Sequence, residues 1–210
     1  MPQLSHDVSA LRRAADRLLE LPLVYRTWQA PFASAKLKPF LAHLDLARTR
    51  RVLDIGCGPG TNARVFAGCD YVGIDINAEY IRTASSRHPG RWVVGDVTDE
   101  TIIPDEQFDC VFANSLMHHL DDDAVRNLLG RMARLTAPGG RVHVLDLVLP
   151  AHASAGRMLA QLDRGRFARP IEHWRTLFTE HLREEHFVPY AFGLPRVPLW
   201  QMVYFVGVAK

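Results

Sequence analysis

The sequence predicts a three-layer α/β/α sandwich around a seven-stranded, mostly parallel sheet that ends in an antiparallel hairpin. Three observations lead to this prediction. Short β-rich runs alternate with helix-like stretches from residue 51 to residue 149, which is typical of βαβ units with helices on both faces of a parallel sheet. The first run, RVLDI, ends at a glycine-rich turn, GCGPG. Two late runs, HFVPYAFGL and LWQMVYFVGVA, are joined by only PRVP, which is too short for a parallel crossover.

The predicted parallel strands cover residues 51–55, 71–76, 91–97, 108–115 and 141–149. Two of the helices between them begin at side chains that accept a hydrogen bond from a free backbone N–H, Asn77 and Asp121. Asp122 and Asp123 then favour the positive end of the second of these helices. Pro138-Gly139-Gly140 is expected to end that helix and to turn the chain into the next strand.

We expect a single domain over residues 1–210, because this length suits one core. Within it we expect an N-terminal helical cap (1–50), a ligand-binding core (51–150), a helical lid insertion (151–183) and the terminal hairpin (184–210). The cap and the insertion are expected to lie over the carboxyl ends of the strands, where open α/β sheets bind ligands.

Composition excludes several classes of protein. The net charge of +2 is spread along the chain, so nucleic acid is not an expected partner. Cys57, Cys69 and Cys110 show no CxxC spacing, and we expect reduced thiols in a cytoplasmic protein. The amphipathic N-terminus does not resemble a signal peptide, no apolar run of about 18 residues predicts a membrane span, and no metal-ligand spacing occurs. A monomer or a homodimer is expected.

The glycine turn is built for close approach to a ligand, because its three glycines carry no Cβ: Gly56, Gly58 and Gly60. The dinucleotide pattern G-x-G-x-x-G/A fits it poorly. Counted from the first glycine, Thr61 stands at the third position; counted from the second, Ala63 does. The turn alone therefore leaves open which ligand it holds.

Polar side chains end the next strands. Asp75 ends the second strand, where a carboxylate can accept both ribose hydroxyls of an adenosine, a role that suits NAD and S-adenosylmethionine equally. Asp96 ends the third strand, within reach of an adenine amino group. Asn114 ends the fourth strand, and the loop SLMHHL then crosses the carboxyl edge of the sheet.

With these residues in place, the chain resembles the class I S-adenosylmethionine-dependent methyltransferases, a Rossmann-like family. The resemblance covers about residues 50–150 by motif, and VLDIGCGPG is similar to the family's first motif. It implies S-adenosylmethionine as cofactor and S-adenosylhomocysteine as product. The cofactor contacts that it implies are Tyr25, Asp54, Gly56, Cys57, Gly58, Gly60, Asp75, Ile76, Asp96, Val97 and Asn114. Asp54 also argues against NAD, because a carboxylate repels a pyrophosphate and suits a cationic ligand.

The resemblance also implies that His118 faces the substrate, as general base or contact, while His119 packs behind it. A base is needed only if the acceptor starts protonated, and histidine then has a suitable pKa. Further candidates for the acceptor site are Trp28, Asp146, Arg164, Arg169 and Trp174. Arg169 would pair with an acidic acceptor, unless these insertion residues form a solvated helix face.

The predicted function is methyl transfer to a small-molecule acceptor through oxygen, nitrogen or carbon. The sequence ANSL stands where relatives that methylate adenine or glutamine nitrogen have [ND]-P-P-[YFW], which disfavours those substrates. Three alternatives stay open: an NAD-dependent oxidoreductase, a cofactor-binding protein without methyl transfer (a regulator or a pericyclase-like catalyst), and an RNA or protein methyltransferase.

Overall fold

The computed structural model describes residues 33–99, 101–102, 106–162, 165–194 and 197–210. The chain divides into two compact units, Met1–Leu37 and Lys38–Lys210, and the sheet lies entirely in the second. The predicted division into cap, core, insertion and hairpin stays a prediction.

Seven strands of the described residues form one sheet in the order β3-β2-β1-β4-β5-β7-β6. They are β1 Arg51–Ile55, β2 Asp70–Asp75, β3 Arg91–Val94, β4 Phe108–Asn114, β5 Thr136–Leu147, β6 Leu182–Leu194 and β7 Val197–Ala209. The first five run parallel, and β7 pairs antiparallel with both β5 and β6. The predicted fold class, including its terminal hairpin, is confirmed.

The described helices are α1 Ala33–His43, α2 Ala78–Ser85, α3 Asp122–Leu135, α4 Ala155–Leu162 and α5 Ile171–His181, with short 3-10 turns at Ala63–Phe66 and Met117–His119. Among them, none has the length and apolar character that crossing a membrane requires. Both predicted N-caps are present. Asn77 accepts from the backbone N–H groups of Glu79 and Tyr80, and Asp121 accepts from that of Ala124.

Two local predictions were wrong. The stretch after the glycine turn contains only a 3-10 turn in place of a helix, because it is short and lies between Gly60 and Gly68, both with left-handed φ angles of 76° and 92°. The helix α3 ends at Leu135, and Thr136 already begins β5, so Pro138-Gly139-Gly140 lies inside the strand rather than at the end of the helix.

The sheet has a buried layer on each face. On one face α3 and α5 pack against strand residues such as Leu53, Val111 and Val144. On the other face Phe40 of α1 stacks on Phe112 of β4, with ring centroids 4.5 Å apart. Both layers fix the carboxyl ends of β1, β2, β4 and β5 along one edge, and the candidate site lies there.

Candidate functional site

The glycine turn is fixed to the end of β2 by its own backbone. The N–H groups of Gly56 and Cys57 both donate to the carbonyl of Ile74, at 2.8 and 3.0 Å. Gly58 has a left-handed φ of 55°, and a Cβ placed on it would meet nothing within 4 Å. The backbone conformation therefore favours glycine at position 58, and the space where a side chain would lie is open.

Asp75 joins this turn to the next strand end. Its Oδ2 accepts from the N–H of Gly58 and its Oδ1 from the N–H of Asn77, both at 2.8 Å. Burial raises the pKa of Asp75, and the two backbone donors partly offset that rise. Each carboxylate oxygen has a second lone pair, so Asp75 keeps acceptor capacity for a ligand hydroxyl.

Two exposed apolar side chains lie at the ends of β2 and β3. Ile76, directly after Asp75, is 69% exposed, and Val94 is 50% exposed. Val97 is buried, whereas Asp96 is exposed and its Oδ1 accepts from the backbone N–H and the hydroxyl of Thr98. An exposed apolar side chain such as Ile76 is suited to contact one face of a flat ring.

Two buried oxygens in the described part of the chain lack a hydrogen-bond partner: Oδ1 of Asp54 and Oδ1 of Asn114. Asp54 lies opposite Phe112 of β4, and Asn114 follows two residues later, so both side chains point to the same face of the sheet. An unsatisfied buried acceptor costs about 1–3 kcal/mol. A ligand that donates hydrogen bonds, such as an ammonium group, would remove this cost.

The environment of Asp54 is unusual for a carboxyl group. It is fully buried, and the Tyr71 hydroxyl donates to its Oδ2 at 2.5 Å. Burial raises the pKa of Asp54 to about 7, while Tyr71 and the nearby Asn62 oppose the rise. Near neutral pH the group is therefore poised between its acid and its carboxylate, and a cation beside it would favour the carboxylate.

Past the end of β4, His118 lies in the 3-10 turn and pairs with Asp146 of β5. The Nδ1 of His118 lies 2.6 Å from Oδ1 of Asp146, which also accepts from the N–H of Leu147 at 2.7 Å. Oδ2 of Asp146 accepts from the N–H of Met117 at 2.8 Å. Because the carboxylate acts as acceptor in all three bonds, Nδ1 of His118 carries the proton and Nε2 is the basic nitrogen.

The two histidines differ in burial, and their ring centroids lie 4.3 Å apart. His119 is exposed, whereas His118 is 4% exposed. The Asp146 carboxylate holds the His118 ring inside, and the backbone of Gly165 packs against it so closely that a Cβ on Gly165 would lie 1.9 Å from Cδ2 of the ring. The N–H of Phe167 donates to the His118 carbonyl at 3.0 Å. Whether His118 acts on substrate stays a prediction.

Arg169 is buried, so it does not lie on the solvated helix face that was one of the two expectations for it. It is 4% exposed, and its guanidinium is used by four acceptors. These are the carbonyls of Met117 (3.1 Å), Phe167 (3.0 Å) and Leu120 (2.7 Å) and Oδ1 of Asp122 (2.8 Å). The carbonyl of Arg169 accepts from the N–H of Leu149, which fixes the side chain beneath the His118 turn.

Trp174 is likewise structural. It is fully buried, donates from Nε1 to the carbonyl of Leu147 at 2.9 Å, and has the Arg169 guanidinium 4.8 Å from its ring centre. Tyr25, Trp28 and Arg164 lie outside the described residues. Among the described residues, no cluster of side chains suited to a metal ion occurs.

Sequence reasoning missed three rings at the same edge, which we call the aromatic cluster: Tyr190, Phe192 and Trp200. Tyr190 and Phe192 are two residues apart in β6, and Trp200 is paired with Phe192 across the hairpin. The alternation in HFVPYAFGL contained this signal, because it places the first two rings on one face of the sheet.

Comparison with known proteins relates part of this chain to methyltransferases. Residues 52–140 match a family described as a methyltransferase domain. An uncharacterized methyltransferase of Mycobacterium tuberculosis is 37% identical over 108 residues, which are 49% of this chain and 53% of the relative. The trans-aconitate 2-methyltransferase of Delftia acidovorans is 32% identical over 128 residues, which are 57% of this chain and 46% of the relative.

Among solved structures, human N-acetylserotonin methyltransferase in complex with S-adenosylmethionine superimposes with a TM-score of 0.68 at 18% identity. The match covers 97% of this chain and 59% of that chain. At this identity the likeness concerns the fold. The chain spans about half the length of the curated relatives given above.

Proposed function

We propose that the chain is a class I S-adenosylmethionine-dependent methyltransferase that transfers a methyl group to a small-molecule acceptor, which the match of residues 52–140 to a methyltransferase domain supports. The observation that carries the proposal is the pair of buried, unpartnered oxygens on Asp54 and Asn114 beside the glycine turn. A ligand that ends in an ammonium group supplies donors for both.

The described residues fit this cofactor from end to end. Asp75 would accept the ribose hydroxyls, since both of its oxygens are already held in place by the backbone. Ile76, Val97 and Asp96 would meet the adenine, the first two by apolar contact. The methionine end would lie on the glycine turn against Asn114 and Asp54, with Gly56, Cys57, Gly58 and Gly60 as its floor. When bound, the cofactor would supply a methyl group attached to a positively charged sulfonium. As the lone pair of the acceptor bonds to the methyl carbon, the sulfur would leave as a neutral thioether.

The protein's part is then to hold the acceptor in line and to exclude water. For an acceptor that starts protonated, we propose His118 as general base, with Asp146 keeping the proton on Nδ1 and the basic lone pair on Nε2. Since the ring is 4% exposed, this role requires the segment around Gly165 to admit the acceptor. A packing role for His118 is the competing interpretation.

Replacing His118 with Gln separates these interpretations. As a base, His118→Gln lowers kcat and removes the acid limb of the pH–rate profile while the affinity for S-adenosylhomocysteine stays unchanged. An unchanged pH–rate profile together with a lowered melting temperature would assign His118 to packing.

The first experiment is a methyl-transfer assay with labelled S-adenosylmethionine across phenols, amines, carboxylic acids, a transfer RNA pool and a protein lysate. Transfer to a small molecule supports the proposal. Transfer to the RNA or the protein fraction would favour the macromolecular alternative, and firm cofactor binding without transfer to any acceptor would favour a regulator or a pericyclase-like catalyst. Cytoplasmic location and a monomeric or homodimeric state are part of the same proposal.

A further inference from the structure

A second apolar cluster, separate from the main core, lies at the carboxyl end of the sheet. Its buried members are Leu147, Met202 and Ala160. The aromatic cluster packs against them and is only partly buried. Partly exposed aromatic rings beside a ligand site provide large contact area with few rotatable bonds, which favours their use in binding.

Strand register places this cluster on the same face as Asn114, whose Oδ1 has no hydrogen-bond partner. Asn114 lies beside Leu145 of β5, and Leu147 follows two residues later on the same side. Leu147 is opposite Met202 of β7, which is opposite Tyr190 of β6. Since strands are spaced by about 4.8 Å and residues by about 3.3 Å, Met202 lies roughly 12 Å from Asn114 along the sheet surface.

The rings form a continuous wall. Phe192 and Trp200 stack with centroids 5.5 Å apart and an interplanar angle of 22°, and Tyr190 lies 6.3 Å from Phe192. Burial raises the pKa of Tyr190, and the carboxylate of Asp146 raises it further. Tyr190 therefore stays a neutral phenol, and it lies within electrostatic reach of the acid that pairs with His118.

Two of the guanidinium groups described near this edge already have partners within the chain. The guanidinium of Arg169 is committed to backbone carbonyls and to Asp122, and Nη1 of Arg157 donates to the carbonyl of Pro150. A carboxylate on the acceptor would lie within electrostatic reach of the buried Asp146, as Tyr190 does, and like charges repel.

From the rings and these charges we propose that the acceptor is an uncharged aromatic compound with a phenolic hydroxyl, which binds by stacking on the aromatic cluster of Tyr190, Phe192 and Trp200. The proposal rests on the proposed function, because it names the acceptor class of the same site. The stacked ring lies over Met202 and Leu147, with its hydroxyl directed to the edge that carries Asn114 and His118.

The test measures binding rather than turnover. Wild-type protein loaded with S-adenosylhomocysteine is titrated with naphthol, with naphthoic acid as the charged analogue, and with citrate, and isothermal titration calorimetry reports binding. We expect naphthol to bind and the two acids to bind at least about tenfold more weakly. Trp200→Leu and Phe192→Leu should each raise the dissociation constant of naphthol by about tenfold, because each variant loses one aromatic contact and its buried area.

Phe187→Leu is the matched control. Phe187 belongs to the same strand, but it is paired with Phe205 and packs against the main core on the opposite face. Naphthol affinity should be unchanged in this variant. Tighter binding of an acid, or naphthol affinity unchanged in both Trp200→Leu and Phe192→Leu, would overturn the proposal. Failure of the wild type to bind S-adenosylhomocysteine at the start would count against the proposed function itself.

Discussion

His118 and Asp146 form a buried pair, with Nδ1 of the imidazole 2.6 Å from the carboxylate. The same carboxylate accepts from the backbone N–H groups of Met117 and Leu147. The carboxylate of Asp146 therefore fixes both the tautomer of His118 and the position of the turn that carries this histidine. This turn lies between the strand ends that would hold the cofactor and the insertion, so its position matters for any chemistry at this edge.

We predict that Asp146→Asn abolishes the single tautomer of His118. In the wild type, ¹⁵N-detected histidine spectra should show His118 with a slowly exchanging proton on Nδ1, assigned by its loss in His118→Gln. In Asp146→Asn the amide can donate as well as accept, so both tautomers should be populated, and the free energy of unfolding should fall by about 1–3 kcal/mol. Asp123→Asn, at an exposed position, is the control. A retained Nδ1 proton in Asp146→Asn would show that the carboxylate does not set the tautomer.

Asp75 is predicted to carry a large share of cofactor affinity. Asp75→Asn should weaken the binding of S-adenosylhomocysteine by about 1.5–3 kcal/mol, because charge-assisted hydrogen bonds to the ribose are lost. Isothermal titration calorimetry measures this change in binding free energy. Asp70→Asn is the control, since Asp70 begins the same strand, is exposed and pairs with Arg51. Equal dissociation constants for Asp75→Asn and wild type would remove Asp75 from the site.

The raised pKa of Asp54 leads us to predict that the free energy of unfolding and the affinity for a cationic ligand change in opposite directions with pH. The pKa of Asp54 is raised from 3.8 to about 7 in the folded protein, so the folded state binds more protons between those values. The contribution of Asp54 to stability is therefore present at low pH and is lost as pH rises through about 7. Binding of a cationic ligand end should instead tighten over the same rise, because it needs the carboxylate.

The measurement is the difference between wild type and Asp54→Asn, both in unfolding free energy and in affinity for S-adenosylhomocysteine, from pH 5 to pH 8. Taking the difference removes other groups, such as His143, whose pKa is lowered by burial to about 3. Parallel curves for the two proteins would contradict the assignment of this pH dependence to Asp54.

Arg169 is predicted to hold the His118 turn in place. Arg169→Lys retains the charge but loses the fork of donors to Met117, Leu120 and Phe167, so amide hydrogen exchange at residues 117–120 should accelerate and unfolding free energy should fall by about 1–3 kcal/mol. Arg126→Lys is the matched control, because Arg126 is more exposed and pairs with neighbouring acids. Protection of the turn equal to that in wild type would show that Arg169 does not restrain it.

The sheet and half of the site were predictable because their signals are local. The β-rich runs, the two N-caps and the spacing between them determine the order of strands and helices. Asp75 can be placed at the end of the second strand because it is the last acidic residue of the run YVGIDI. The orientation of His118 depends on Asp146, 28 residues later, and the use of Arg169 depends on carbonyls about 50 residues earlier. Periodicity does not report which polar partner a buried side chain meets, so the pairing of His118 with Asp146 and the bonds of Arg169 to backbone carbonyls were not predicted.

The central claim is that the glycine turn, Asp75 and the two unpartnered oxygens hold an adenosyl ligand with an ammonium group and without phosphate. Isothermal titration of the wild-type protein with S-adenosylhomocysteine, and separately with NADH, tests it most directly. The account predicts saturable binding of S-adenosylhomocysteine to one site and no detectable binding of NADH. Tight binding of NADH with no heat from S-adenosylhomocysteine would contradict it.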